Sequence, residues 1–123
     1  MGLTGQGATT TMGILQGAKQ GQMKTITVQI GNSDDKLSQS EWSQFTSKIM
    51  YEIEINASEI HFSGSSDPLA AWQNAAFVFC IRDYGFMGND RFFIDNLKSV
   101  LSKIAKLYRQ DSIAWTEGET EFV

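Results

Sequence analysis

Four aspartates, Asp83, Asp90, Asp95 and Asp111, are spread along a basic, apolar-studded segment in the second half of the chain. Carboxylates in that number suit magnesium-dependent phosphodiester cleavage, because a hard cation takes oxygen donors and must hold both the phosphate and the attacking water. Asp95 and Asp111 stand at either end of the segment Phe92 to Ser112. His61 and Cys80, the single histidine and the single cysteine, form a second set. Both fall on strand-like stretches, and by parity both can lie on one sheet face, where an imidazole beside a thiol makes a nucleophilic pair. In "EGETEF", Glu117, Glu119 and Glu121 alternate and form an acidic ridge that could meet a basic partner or a cation.

Each set also has a plainer explanation. Asp95 falls in the first turn of an expected helix, where the positive end of the macrodipole stabilises it, while Lys103, Lys106 and Arg109 suit the other end. A buried or edge cysteine and a half-exposed histidine are ordinary strand residues. An acidic ridge on an edge strand discourages pairing with other chains. The plain explanation is favoured in all three cases.

Periodicity reveals the elements that must position these groups. Ile26, Val28 and Ile30 alternate with Thr25, Thr27 and Gln29, a half-buried strand ended by "GNSDD". In "KLSQSEWSQF", Ser38 and Glu41 have capping-box spacing, and Leu37 and Trp42 stand where a hydrophobic staple closes. A helix starts there, with Trp42, Phe45, Ile49 and Ile53 as its apolar stripe. "SEIHFSG" alternates Ile60 and Phe62 with Glu59, His61 and Ser63, which predicts a second strand, and a long hairpin loop over 64–74 holds Pro68, the only proline.

"AAFVFCIRD" is apolar on both faces, as a central strand should be. After the turn "YGFMGND", Asn89 or Asp90 can cap a second helix with the stripe Ile94, Leu97, Leu101, Ile104 and Tyr108. "SIAW" and "ETEFV" predict final strands about a Glu117-Gly118 turn. The order strand, helix, strand, strand, helix, strand is that of an α+β, ferredoxin-like (βαββαβ) domain, an antiparallel sheet with two helices on one face. Phe77 and Phe79 then join the helix-facing set, and Thr25, Thr27, Ala76, Val78 and Cys80 line the open face. Residues 23–123 make this single domain; residues 1–22, glycine-rich and without an acidic residue, make a flexible arm or an added leader.

Composition narrows the function. Lys+Arg 10 against Asp+Glu 14 gives a net charge of -4, which disfavours a phosphate-backbone ligand. One cysteine and one histidine are too few for a zinc site of Cys and His ligands, and no cofactor is expected. No apolar run reaches the roughly 18 residues of a membrane span, no secretory h-region opens the chain, and cytoplasmic residence is expected.

Residues 90–111 resemble RusA-type Holliday-junction endonucleases. "DRFFIDNLKSVL" is similar to the D-x-D-N-L-x-K stretch of that family, and "RQDS" stands where it carries a further aspartate. The resemblance implies a metal-dependent nuclease with Asp95, Asn96, Leu97 and Lys98 on the motif and Asp111 as the later acid. Phe93 replaces the motif's first aspartate, which removes one oxygen ligand. "NAAFVFCI" resembles the third strand of RNA-recognition domains, but rings turned to the helices leave no platform for stacking bases.

Over residues 23–123 the chain is similar to small ferredoxin-like proteins of unassigned role from phages and prophages, on the phrases "TVQIGNSDDKLSQSEW", "WQNAAFVF" and "YRQDSIAWTEGETEFV". That likeness implies a non-catalytic accessory or host-interaction protein that binds a protein partner or itself in the bacterial cytoplasm. The residues expected to carry binding are the amphipathic anchors Trp72 and Trp115, Thr27 and Val78 on the open face, and Glu117, Glu119 and Glu121 at the end. The nuclease reading, with Asp95 and Asp111 on a metal, is the alternative.

Overall fold

The computed structural model describes residues 23–67, 70–82 and 90–123, with the backbone of 2–3 and 5–6. Of residues 1–22, expected as an arm, only a two-residue pairing of Gly2–Leu3 with Gly5–Gln6 is therefore on view. Asp83, the turn after it, Asn89 and the side chain of Asp90 lie outside the described residues, as does Pro68.

Four strands and two helices follow in the expected order: β1 (Met23–Gly31), α1 (Gln39–Asn56), β2 (Glu59–Ser65), β3 (Asn74–Arg82), α2 (Asp90–Leu107) and β4 (Ala114–Glu119). The strands pair in the spatial order β2-β3-β1-β4, every neighbour antiparallel. Each half is a strand, a crossing helix and a second strand, with a strand of the other half set between, and this interleaving defines the ferredoxin-like fold. No helix among the described residues is long and apolar enough to cross a membrane.

The start of α1 follows its sequence signals. Ser38 Oγ accepts the backbone N–H of Glu41 at 3.1 Å, and Glu41 Oε1 accepts that of Ser38 at 3.0 Å, a complete capping box. Leu37 and Trp42 on either side are buried. The α1 stripe Trp42, Phe45, Ile49 and Ile53 meets Ile94, Leu97 and Leu101 of α2 and Tyr108 just past its end, and both helices rest on one side of the sheet. Phe45 stacks on Tyr108 with ring centroids 5.3 Å apart, a contact from α1 to the residue that follows α2.

Beneath them, Ile26 lies opposite Phe79 and Val28 opposite Phe77 in the β1/β3 register, and all four side chains are buried. Alternation then sends Thr25, Thr27 and Gln29, with their partners Cys80, Val78 and Ala76, to the other face.

Two expectations change. The last segment is one strand, not two: β4 runs straight through Glu117 and Gly118, because Ala114 to Glu119 find continuous partners along β1 from Gln29 to Lys24. Strand β2 does not keep its alternation either. Glu59 pairs with Cys80 and Ile60 with Phe79, but Phe62 pairs with Val78, so His61 is an extra residue in a bulge. Past the bulge the parity reverses, and Phe62 emerges on the open face, 57% exposed, instead of joining Ile60 under the helices.

The end of the sheet near β1 is closed by two buried amides, Asn32 and Gln110. Asn32 Oδ1 accepts the Leu37 N–H at 2.9 Å, while its Nδ2 donates to Leu37 O at 3.0 Å and to Gln73 Oε1 at 2.8 Å. Gln110 Oε1 accepts the Ser33 N–H at 2.9 Å, so the β1–α1 and α2–β4 connections are joined.

Candidate functional site

The bulge in β2 assembles, among the described residues, a set of three chemically different side chains. Cross-strand partners such as Glu59 and Cys80 have Cβ atoms about 5 Å apart, and a residue two further along the same face lies within reach of both. His61 supplies that residue, and the bulge sets its angle. A carboxylate oxygen of Glu59, an imidazole nitrogen of His61 and Cys80 Sγ all lie within 4.8 Å of one another. Glu59 and His61 are exposed, whereas Cys80 is 0% exposed, so the sulfur forms the floor of the group and the other two its rim. The three donors differ in kind, a soft sulfur, a borderline nitrogen and a hard oxygen, and together can bind a cation or move a proton.

The open sheet face carries Thr25, Thr27 and Gln29 on β1 and Ala76, Val78 and Cys80 on β3, six uncharged residues in the middle of the two central strands. Thr116 on β4 faces Thr27 from the other side. The Thr25 and Thr120 hydroxyls are hydrogen-bonded, which holds the end of the chain to this face. At the β2 edge the Phe62 ring rests over Gly64, where an added Cβ would approach Phe62 Cζ to 2.8 Å. Gly64 thus lets the ring lie flat along the face. Thr27 and Val78, expected on this surface, are both here and half-buried.

Trp115 and Glu117 sit elsewhere. Opposite Val28 and Ile26, they point to the helix side of β4. Trp115 meets Phe79 edge-on at 6.3 Å between centroids, and Lys98 Nζ lies 5.3 Å from its ring centre. Glu117 accepts hydrogen bonds from Arg91 Nη2 at 2.8 Å, Arg91 Nη1 at 3.2 Å and Trp115 Nε1 at 2.9 Å, with Lys98 Nζ at 3.4 Å. The Arg91 guanidinium, helped by Trp115 and Lys98 and opposed by partial burial, pulls the Glu117 carboxyl down to about 2. Its charge is met within the chain. Glu119, the last residue of β4, and Glu121 beyond it are exposed.

Asp95 and Asp111 are not brought together. Asp95 pairs with Arg91 one helical turn away at 3.4 Å, and Asp111 lies 3.9 Å from Lys36 beyond the far end of α2. Twelve helical steps from Asp95 to Leu107 span roughly 18 Å, several times the separation of two ligands on one ion. Asp111 and Trp115, with Lys98, Lys106 and Ile113, line a cleft of about 380 Å³ beside α2. Trp72 is 67% exposed just before β3, and its backbone oxygen accepts from Asn74 Nδ2 at 3.2 Å.

Sequence reasoning found His61 and Cys80 but not Glu59. The signal for it was present: a carboxylate two residues before a strand histidine shares its face. What alternation could not supply was the register that sets Glu59 opposite Cys80. Comparison with protein-family models finds none that matches the chain, and comparison with curated proteins likewise returns no match.

Proposed function

We propose that the chain is a non-catalytic, protein-binding module that pairs with a second copy of itself through the open face of its sheet. The observation that carries this reading is the surface itself: small, uncharged side chains over β1 and β3, with an exposed Phe62 at one edge. Burying the middle of this face, from Gln29 and Ala76 to Thr27 and Val78, removes apolar area from water and strands no charge there. The face is also complementary to itself. Phe62 on β2 is the bulky edge, and Ala114, Thr116 and Gly118 on β4 are the small one. A two-fold axis running along the strands lays each protomer's β2 over the other's β4, ring against shallow surface, as an isologous interface requires.

Trp72, exposed just before β3, is a second aromatic anchor, and Glu119 and Glu121 are the acidic groups left to meet a basic partner. The reading agrees with what the likeness to small phage and prophage proteins of unassigned role implies, an accessory protein that acts by binding. The nuclease alternative has less behind it, since Asp95 and Asp111 lie apart, each beside a cation of its own.

Val78→Arg tests the reading, because Val78 sits mid-face opposite both Thr27 and Phe62. The native chain is expected to sediment as a dimer. The variant, with a charge forced into the interface, is expected to sediment as a monomer with an unchanged circular dichroism spectrum. A native chain that stays monomeric at every soluble concentration rejects self-association.

A further inference from the structure

We propose that Glu59, His61 and Cys80 form a zinc(II) site with one coordination position left to solvent. The inference does not depend on self-association and rests on the convergence of three side chains at the β2 edge of the same face.

Three observations carry it. The donor atoms already converge within 4.8 Å of one another, on two paired strands whose backbone holds them in place. Zinc ligated by sulfur, nitrogen and oxygen at about 2.0–2.3 Å brings neighbouring donors to roughly 3.5 Å, so closure requires only side-chain rotation of about 1 Å. The bulge places an extra residue in β2 at His61 itself, and bulges re-aim side chains. Burial is graded in the useful direction as well. Cys80 lies beneath, and Glu59 and His61 stand at the solvent edge, where an ion can enter.

The donor set selects the metal. Magnesium and calcium take oxygen almost exclusively, and one carboxylate among three donors does not hold them. Copper(I) prefers several sulfurs. A single thiolate with imidazole and carboxylate suits zinc, which takes all three and is commonly held by three protein ligands with water in the fourth position. On binding, the Cys80 S–H bond breaks, the S–Zn bond forms and the proton leaves to solvent. Cysteine nucleophilic catalysis by the same group is the weaker fit, because a sulfur with 0% exposure admits an ion along its rim but not an organic carbonyl.

Cobalt(II) is the probe, since it enters zinc sites and a thiolate ligand gives it a charge-transfer band in the near ultraviolet. The native chain is expected to take up one cobalt per chain with that band, to release it to zinc, and to rise in thermal midpoint with either metal. Cys80→Ser is expected to abolish the band. His61→Ala and Glu59→Gln, both at exposed positions that folding tolerates, are each expected to weaken uptake on the order of 100-fold, the upper end of what loss of a supporting group around a metal costs. Asp95→Asn is expected to change nothing. Absence of uptake by the folded native chain, or uptake that any one of the three site variants leaves unchanged, overturns the assignment. Should Cys80→Ser fail to fold, the band in the His61→Ala variant decides the matter.

Discussion

Arg91 holds Glu117 by both terminal guanidinium nitrogens, 2.8 Å and 3.2 Å from its two carboxylate oxygens, and so ties the first turn of α2 to the edge strand β4. The expected acidic ridge is, at this residue, a latch between two elements far apart in sequence. Its strength depends on pH in a way that can be read off.

The Glu117 carboxyl sits at about 2 in the folded chain and near its ordinary value of about 4.3 when unfolded. A depressed folded value means that the stabilisation is complete above the unfolded value and is lost as pH falls from there through about 2. Glu117→Gln is therefore expected to lower stability near neutrality by about 1–2 kcal/mol, after allowance for solvent screening of a partly exposed group. The gap between variant and native chain should close as pH falls towards about 2. Urea unfolding across that range measures it, and a constant gap at every pH would show that the pairing does not act through charge.

Most of the fold could be read from the sequence because its signals are local. The Ser38 and Glu41 cap, the Leu37 and Trp42 staple and the 3.6-residue stripes of both helices depend on neighbours within one or two turns, and the helix packing reinforces each of them. Phe77 and Phe79 could be assigned to the core by simple alternation. What stayed hidden depended on distant partners. Nothing within "SEIHFSG" distinguishes a bulge at His61 from continued alternation; only pairing with Val78 decides that Phe62 turns outward. "TEGE" looks like a turn because it holds a glycine beside acids, yet β1 offers it a full row of backbone partners and it extends as strand. The Glu59, His61 and Cys80 group was half legible for the same reason, its third member depending on cross-strand register.

Asn32 supports a second prediction, about the closed end of the sheet. Its side chain satisfies both the N–H and the carbonyl of Leu37 and meets Gln73, and it is buried. Asn32→Ala leaves those groups without partners and without water. The expected cost is about 2–3 kcal/mol, larger than the net value of a single hydrogen bond because buried polar groups are left unsatisfied. Chemical denaturation gives the magnitude, and faster hydrogen exchange at the Leu37 amide gives the location. A loss spread evenly over all amides would mean that the side chain contributes to global stability and not to this connection.

Deleting His61 separates the bulge from everything else that β2 does. In the native register Glu59, Ile60, Phe62 and Ser63 pair with Cys80, Phe79, Val78 and Phe77, and His61 alone has no position opposite it. Removing that residue leaves a regular ladder with the same partners and the same inward Ile60 and outward Phe62. The deletion is thus expected to fold, with stability within about 1 kcal/mol of the native chain, because no buried contact is lost. His61→Gly is the companion variant: it keeps the extra residue and removes only the imidazole. Nuclear Overhauser contacts between Phe62 and Val78 should persist in both. A deletion that unfolds the chain, or that turns Phe62 beneath the helices, would show that the bulge is needed to hold the register of β2 and is more than an insertion that aims one side chain.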